Sequence, residues 1–267
     1  MQTLVLANQK GGVGKSAVSC QLAYYLAQSG RRVLLLDLDH QQNSSRPIVK
    51  AGKAAVAGFT ASELLAGGAR ALPEGSFVLI QGDDTLSTLE RQPEKHNGYA
   101  NSLKHFLDGA ADRFDVCLID TNPNPDIRYA AALITADFVL SPIQLNQEAI
   151  DGIGALLSHQ RYGYLKIKAA LNPHLTLIGL LPNMVEATPF QRGNFQQVAE
   201  AFAKMLIVID AKTKQFAFIP KRSAVAEAQA DGAFLAEVKK TAARDAWREI
   251  KPSFDVIIDR MGLGRGV

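Results

Sequence analysis

Residues 3–16 read TLVLANQKGGVGKS, and this stretch decides the fold. The apolar run over residues 3–7 predicts a β-strand, and residues 16–28 follow it with a helical pattern. A glycine-rich turn between a strand and a helix is the setting of a phosphate-binding loop. Gly11, Gly12 and Gly14 permit backbone angles at which amide groups turn inward around a phosphate, and the helix N-terminus adds its dipole. We therefore predict a P-loop over residues 8–16.

Two polar side chains at the end of this loop indicate the ligand. Lys15 can reach the β- and γ-phosphates of a nucleotide, and Ser16 can offer its hydroxyl to Mg²⁺. The sequence therefore predicts ATP and Mg²⁺ as cofactors. The expected nucleotide contacts in this segment are Lys10, Gly11, Gly12, Val13, Gly14, Lys15, Ser16 and Ala17.

Two alternatives to a P-loop stay open at this point. The glycines could form a purely structural turn, although such turns rarely place Gly-Lys-Ser at a helix start. A dinucleotide site is the other alternative, because residues 12–17 fit the pattern G-x-G-x-x-A and Asp37 lies about 20 residues further on. That interpretation leaves Lys10, Lys15 and Ser16 unexplained.

Carboxylates follow two further apolar runs. Residues 33–45 read VLLLDLDHQQNSS and residues 115–125 read DVCLIDTNPNP. Strand alternation puts Asp37 and Asp39 on one side of the strand end, where one can orient Mg²⁺-bound water and the other an attacking water. Asp120 emerges at a strand's carboxyl end in a Walker B pattern and would hold Mg²⁺ through water. A solvated turn is the alternative explanation for the first pair.

The order of apolar and helical stretches predicts the fold class. Continuous apolar runs are typical of central parallel strands, and alternation with helices indicates βαβ units. We predict an α/β fold, a doubly wound, mostly parallel sheet flanked by helices, in a single domain over residues 1–267. The remaining predicted strands are 77–81, 116–119, 138–141, 175–181 and 216–219, the remaining helices are 101–112, 149–160 and 191–205, and residues 46–58 and 67–75 are predicted surface loops.

Composition narrows the class of protein. The 267 residues are 47% hydrophobic and 21% charged, with a net charge of +3 that argues only weakly for a nucleic-acid partner. Two cysteines give no disulfide framework, and no apolar run approaches the ~18 residues of a membrane span. The opening MQTLVLANQKGG has no basic region that would indicate a signal peptide. These features favour a cytoplasmic protein without a membrane partner.

The loop departs from the usual GxxxxGK[ST] pattern, because Gln9 stands at the first glycine position and Lys10-Gly11-Gly12 follows it. In this respect it resembles the deviant Walker A family, which includes ParA, MinD and the nitrogenase iron protein. The resemblance implies a P-loop ATPase that forms a homodimer with ATP. It also implies that Lys10 reaches across the dimer interface to the nucleotide of the other subunit. Ala17 is a departure that leaves no hydroxyl for the α-phosphate.

The aspartate motif adds to the resemblance. Residues 33–43 are similar to the ParA-type segment VLLIDLDPQGN, which matches Asp37 to its first aspartate and Asp39 to the residue that positions the attacking water. The resemblance thus implies catalytic roles for Lys10, Lys15 and Asp39, and metal roles for Ser16, Asp37 and Asp120. The departures are His40 for proline, Gln42 for glycine, and Asn122 and Asn124 in a switch usually read as DTPP.

Later segments resemble the family's adenine-binding side. Asn183 follows a strand at the place of the family's base-binding residue. Ile219-Pro220-Lys221-Arg222 with Glu227-Ala228 resembles an IPR…EA segment whose backbone lies near the adenine. The resemblance therefore implies adenine contacts by Asn183, Pro220 and Lys221.

A basic stripe is the candidate DNA surface. Lys240, Arg244 and Arg248 recur every four residues on one face of a predicted helix, and Leu235, Val238 and Ala242 are expected on the opposite face. Interspersed acids favour an ordinary solvated face, whereas the family binds DNA nonspecifically through basic residues in this part of the chain. The candidate DNA-binding residues are Lys221, Arg222, Lys240, Arg244 and Arg248.

The resemblance implies a ParA-like ATPase for plasmid or chromosome partition, associated with the nucleoid in the cytoplasm. It would form an ATP sandwich dimer, bind nonspecific DNA, and hydrolyse ATP when a ParB-like centromere-binding adaptor stimulates it. Two alternatives are a MinD-like ATPase at a membrane surface, which the glycine-rich ending MGLGRGV disfavours, and a ParA-like ATPase that positions protein cargo. Cys20 and Cys117, in a predicted helix and strand, disfavour a cluster-bearing reductase. Because the first strand begins two residues into the chain, we expect no N-terminal helix-turn-helix and no operator binding.

Overall fold

The computed structural model of this chain describes residues 1–264. Within them, a seven-stranded parallel sheet has the order β3-β4-β2-β5-β1-β6-β7. This architecture confirms the predicted doubly wound α/β class. The strands are β1 (Gln2–Leu6), β2 (Val33–Asp37), β3 (Ala55–Val56), β4 (Phe77–Ile80), β5 (Val116–Asp120), β6 (Phe138–Gln144) and β7 (Thr176–Asn183).

Helices cover both faces of the sheet, which is why the central strands are continuously apolar. Alternate residues of β1 divide between two hydrophobic clusters, with Val5 in one and Leu4 and Leu6 in the other. The helices are α1 (Lys15–Gln28), α2 (Ser45–Ala51), α3 (Ala61–Leu65), α4 (His96–Ala110), α5 (Ile127–Thr135), α6 (Ala149–Ser158), α7 (Tyr164–Ala170), α8 (Pro189–Phe202), α9 (Ser223–Asp231) and α10 (Thr241–Arg260). Buried residues of α4 and α5 join the Val5 cluster, and those of α1 and α10 join the other.

The seventh strand of the sheet differs from the prediction. Residues 216–219 were expected to supply it, but Gln215–Phe216 (β9) pairs antiparallel with Val208–Asp210 (β8) in a separate two-stranded ribbon. The edge strand is instead β3, inside residues 46–58, which also hold α2 and were wrongly predicted as a loop. Ala55–Val56 is too short to give an apolar run, and it is a strand only because it pairs with β4.

The late helix also begins later than predicted. Lys240 is the N-cap of α10, Leu235 lies in a short 3₁₀ turn (Leu235–Glu237), and Val238 is extended. Neither Leu235 nor Val238 therefore belongs to the helix, and Ala242 is exposed. The buried face of α10 is formed by Ala243, Ala246 and Ile250 and their later neighbours. The start of this turn is held against α1, because the Leu235 amide donates to Gln21 Oε1 at 2.9 Å.

Two observations concern the surface and the end of the chain. None of the helices in residues 1–264 is long and apolar enough to cross a membrane. The glycine-rich ending MGLGRGV was used to disfavour a MinD-like ATPase at a membrane surface. Residues 265–267 of that ending lie outside the residues that the structure describes.

Candidate nucleotide-binding site

The carboxyl ends of three adjacent strands bring the predicted motifs together. Asp120 at the end of β5 is in register with Leu6 of β1 on one side and with Asp37 of β2 on the other. The glycine-rich loop leaves β1 at this edge and enters α1. The sheet therefore places the loop between the two aspartate motifs, as expected for ligand binding in open α/β sheets.

The loop takes backbone angles that only glycine adopts freely. Gly12 and Gly14 have φ values of 76° and 85°, in the left-handed region. A Cβ atom on Gly14 would lie 2.2 Å from Asn183 Nδ2, which donates to the Val13 carbonyl at 2.7 Å. Asn183, 4% exposed, thus supports the loop from β7.

A cavity of about 760 Å³ opens over the loop. This volume is within the usual range of small-molecule sites. Its lining includes Gly11, Gly12, Gly14, Lys15, Ser16, Ala17, Asp39, Gln41, Gln42, Asn43, Arg46, Pro47, Lys50, Pro123, Met184, Gln229 and Ala230. Six of the eight predicted loop contacts, all except Lys10 and Val13, therefore face one space, whose far side is formed by α2 and α9.

Lys15 lies at the bottom of this space. It is 6% exposed, and its Nζ donates to the Asn8 carbonyl at 3.2 Å. Burial lowers the pKa of Lys15, while the charges of Asp120 and Asp39 act in the opposite direction. An ammonium group so poorly solvated gains strongly from an anionic ligand.

The two strand-end carboxylates have different surroundings. Asp37 Oδ2 accepts from the Ser45 amide at 2.9 Å and from its hydroxyl at 2.6 Å, and Asp37 Oδ1 accepts from the Asp39 amide at 3.0 Å. Asp120 is also fully buried, but neither of its carboxylate oxygens has a hydrogen-bond partner within residues 1–264. Asp37 is thus fixed by the protein, whereas Asp120 retains its acceptor capacity.

The charge of Asp120 is correspondingly costly. Burial, and then the neighbouring charge of Asp37, raise the pKa of Asp120 to about 7. Burial also raises the pKa of Asp37. Unpartnered carboxylate oxygens beside the Ser16 end of the loop fit the oxygen-ligand chemistry of Mg²⁺. Ser16, Asp37 and Asp120 would hold the ion, which neutralises phosphate charge when bound.

Asp39 lines the cavity and is 4% exposed. Its Oδ1 accepts from the Gln41 amide at 3.0 Å and lies 3.3 Å from His40 Nδ1. Gly82, just after β4, permits this arrangement, because a Cβ there would lie 2.5 Å from the Asp39 carbonyl oxygen. Sequence reasoning missed Gly82, although a glycine directly after an apolar run was a visible signal.

Lys10 is turned away from the cavity of its own chain. Its Nζ donates to Asn146 Oδ1 at 3.2 Å and to Glu148 Oε2 at 2.5 Å, in the connection between β6 and α6. Lys10 is not among the lining residues. Within one chain it therefore contributes no visible contact to the nucleotide space.

The predicted adenine contacts are placed around the cavity rather than in its lining. Asn183 donates a hydrogen bond to the phosphate loop, and Pro220 pairs with Val185 in an isolated β-bridge. Lys221 is exposed and forms an ion pair with Glu186 at 3.2 Å. The lining on that side comes from residues that carried no motif, namely Arg46, Lys50, Met184, Gln229 and Ala230. No sequence signal distinguished these from ordinary surface residues.

The candidate DNA-binding residues are exposed, and most have acidic neighbours. Arg222 pairs with Glu249 at 2.8 Å, and Lys240 with Glu227 at 2.8 Å. Arg248 lies 3.4 Å from Asp245, whereas among the described residues Arg244 forms no ion pair and contacts Thr241 Oγ1 at 3.4 Å.

Comparison with known proteins supports an ATPase. A family model described as "AAA domain" matches residues 1–177. The protein IncC from Escherichia coli is 32% identical over 276 residues, covering 99% of this chain and 71% of the relative. The chromosome-partitioning ATPase Soj from Thermus thermophilus is 32% identical over 188 residues, covering 70% of each chain. The chain belongs to the ParA-type partition ATPases.

Solved structures agree with this family. The McdA–ATP complex from Cyanothece has a TM-score of 0.79 at 21% identity, covering 100% of this chain and 98% of that one, and it supports the fold. Cobyrinic acid a,c-diamide synthase from Mycobacterium smegmatis, with bound ADP and magnesium, has a TM-score of 0.70 at 26% identity, covering 84% and 89%. The ParA-type chain is therefore an ATPase that uses ATP and Mg²⁺, and the dinucleotide alternative is not supported.

Proposed function

We propose that this ParA-type ATPase partitions DNA, either a plasmid or a chromosome. ATP brings two copies into a sandwich dimer, the dimer binds DNA without sequence preference, and a ParB-like centromere-binding adaptor stimulates hydrolysis and release. The protein then acts on the nucleoid in the cytoplasm. The proposal is supported by the similarity to IncC and to the chromosome-partitioning ATPase Soj.

The position of Lys10 carries the proposal. A lysine inside the phosphate loop that serves no part of its own cavity is available to a second subunit. Its contact with Glu148 is easily given up, because the Glu148 side chain is 72% exposed. Exposed ion pairs contribute only about 0–1 kcal/mol. A nucleotide phosphate in the partner offers Lys10 a stronger, water-excluded contact.

We infer a role for each residue within one active site from its position. Lys15 neutralises the β- and γ-phosphates from its buried position, and Asp39 orients the attacking water from the cavity wall. Ser16, Asp37 and Asp120 would hold Mg²⁺ when it is bound. Asn183, Pro220 and Lys221 remain predicted contacts on the adenine side.

The exposed basic residues are the proposed contacts with DNA. Lys221, Arg222, Lys240, Arg244 and Arg248 contact phosphate backbone, and their acidic neighbours set how many are free at a given salt concentration. Such binding reads no bases, which suits an ATPase that moves over a nucleoid.

The test is binding to random-sequence duplex DNA with ATP, with ADP and without nucleotide, at two salt concentrations, together with dimer formation by light scattering. We expect ATP-dependent, salt-sensitive binding by wild type. Lys10→Ala should bind ATP yet fail to dimerise and to bind DNA. Lys104→Ala, which removes an exposed lysine of α4, is the matched control.

Two outcomes would contradict the proposal in different ways. Normal dimerisation by Lys10→Ala would refute the cross-subunit role. Dimerisation with ATP but no DNA binding by wild type would point to a membrane or protein surface as the cargo platform.

A further inference from the structure

A polar network connects the catalytic-candidate carboxylate with the segment after β5. It runs from Asp39 through His40 and Arg128 to Asp126 and Asn122. His40 and Asn122 are two of the positions at which the sequence departs from the ParA-type motifs. In the fold these departures belong to one connected group.

The inner half of the network is a buried ion pair. Arg128 is 3% exposed and Asp126 is 7% exposed. Arg128 Nε lies 3.2 and 3.1 Å from the two Asp126 oxygens, and Arg128 Nη2 lies 2.5 Å from Oδ2. Asn122 Nδ2 donates to the same carboxylate at 2.9 Å. A guanidinium bound in this bidentate way, without access to water, has one position.

Asp126 is itself fixed by the helix that follows it. As the N-cap of α5, it accepts from the amides of Arg128 at 3.0 Å and Tyr129 at 3.4 Å. The ion pair is thus anchored to the start of α5, and the Arg128 nitrogen that does not contact Asp126, Nη1, lies 3.3 Å from His40 Nδ1.

One ring nitrogen of His40 lies close to both a hydrogen-bond donor and a hydrogen-bond acceptor. Its Nδ1 lies 3.3 Å from Arg128 Nη1 and 3.3 Å from Asp39 Oδ1. A guanidinium only donates hydrogen bonds and an ionised carboxylate only accepts them. Nδ1 can therefore satisfy Arg128 as a bare acceptor or Asp39 as an N–H donor, but not both at once.

We propose that His40 is a positioning residue for Asp39, and that Arg128 selects the tautomer of His40 in which Nδ1 is an acceptor. When Nδ1 accepts from Arg128, Asp39 Oδ1 has only the Gln41 amide as a donor and keeps acceptor capacity for water. If Nδ1 instead carried the ring proton, it would add a second donor to the same oxygen. This inference rests on the proposed role of Asp39 as the water-orienting group.

Charged groups on two elements face His40. Asp39 lies on the same loop, Arg128 lies on α5, and Asp126 lies behind Arg128 and partly offsets its charge.

The experiment compares wild type with His40→Asn and His40→Ala in steady-state ATP hydrolysis. Asparagine keeps an acceptor close to the position of Nδ1. We therefore expect His40→Asn to retain kcat within about twofold of wild type. His40→Ala should lower kcat about tenfold with KM for ATP unchanged.

A matched control and one further variant make the result decisive. His105→Asn makes the same change at an exposed position of α4 and should keep the wild-type kcat. An ATP-induced rise in melting temperature reports that each variant is folded. A tenfold loss of kcat in His40→Asn, or an effect on KM alone in His40→Ala, would overturn the proposal. Asp39→Ala separates the two levels, because persistent hydrolysis there would refute the role of Asp39 itself.

Discussion

The cavity edge and the basic surface of α9 and α10 both carry charges that the sequence singled out, and they behave differently. At the cavity edge, Lys15, Asp37 and Asp120 are buried and their surroundings follow from strand register. On the surface, Arg222 and Lys240 are exposed and form ion pairs with neighbouring glutamates. A buried charge has few possible partners, so a motif determines its chemistry, whereas spacing along an exposed helix does not.

The largest effect is expected at the buried lysine. Lys15→Ala should weaken ATP binding at least about a hundredfold, or roughly 3 kcal/mol, because no other buried cation in the loop reaches the phosphates. Differential scanning fluorimetry should show the ATP-induced rise in melting temperature in wild type and its loss in the variant. If ATP raises the melting temperature of Lys15→Ala as much as that of wild type, the buried lysine contributes no more to ATP binding than an exposed surface charge would.

An intermediate effect is expected at the paired aspartates. Because the folded-state pKa of Asp120 is raised to about 7, its ionised form destabilises the fold, so stability should fall as pH rises from the ordinary aspartate pKa towards that value and level off above it. Asp120→Asn should therefore stabilise the nucleotide-free, magnesium-free protein by up to about 4 kcal/mol at pH values above that pKa and flatten this pH dependence.

Asp37→Asn is the matched comparison for this prediction. Its two oxygens accept from the Ser45 amide and hydroxyl and the Asp39 amide, and an amide group keeps only one of these acceptors. We expect this variant to be less stable than wild type in urea denaturation. Destabilisation of equal size in both variants would mean that the two buried carboxylates do not differ as their contacts indicate.

The smallest effect is expected on the surface. Arg244→Ala should weaken binding to random DNA a few-fold and lower the slope of log K against log salt by about 0.9, as for one lost phosphate contact. Arg248→Ala, which also releases Asp245, should weaken binding more, because it adds an unpaired negative charge to the interface. Equal affinities for both variants and wild type would remove α10 from the DNA-binding surface.

The parts of the molecule that sequence predicted well are local or set by strand ends. Gly12, Gly14, Lys15, Asp39 and Asp120 occupy one edge because each belongs to a short motif directly after an apolar run. The parts it missed depend on contacts distant in sequence. The edge strand β3 exists only beside β4, and the turn before the late helix contacts Gln21 of α1, more than 200 residues earlier in the chain.

The far side of the cavity shows the same limit. Arg46 and Gln229 meet there only after α2 and α9 pack together, with Gln229 Nε2 donating to the Asn43 carbonyl at 3.0 Å. His40 looked like a simple departure from a proline position until the fold placed Arg128, 88 residues later, against it. Side-chain pairs of this kind carry no signature in a single sequence.

The central place of β1 has a consequence for synthesis. Its two neighbours are β5 and β6, so Gln2 pairs with Val116 and Leu6 with Leu140. At a typical elongation rate, the ribosome needs on the order of ten seconds to synthesise the chain between β1 and these two strands. During that interval the apolar segment before the phosphate loop has no sheet to join, and the nascent chain has neither a nucleotide pocket nor protection from aggregation. Chaperone contact with residues 3–7 would be most useful in that window, and the complete nucleotide cavity forms only after α9, which lines its far side, has emerged.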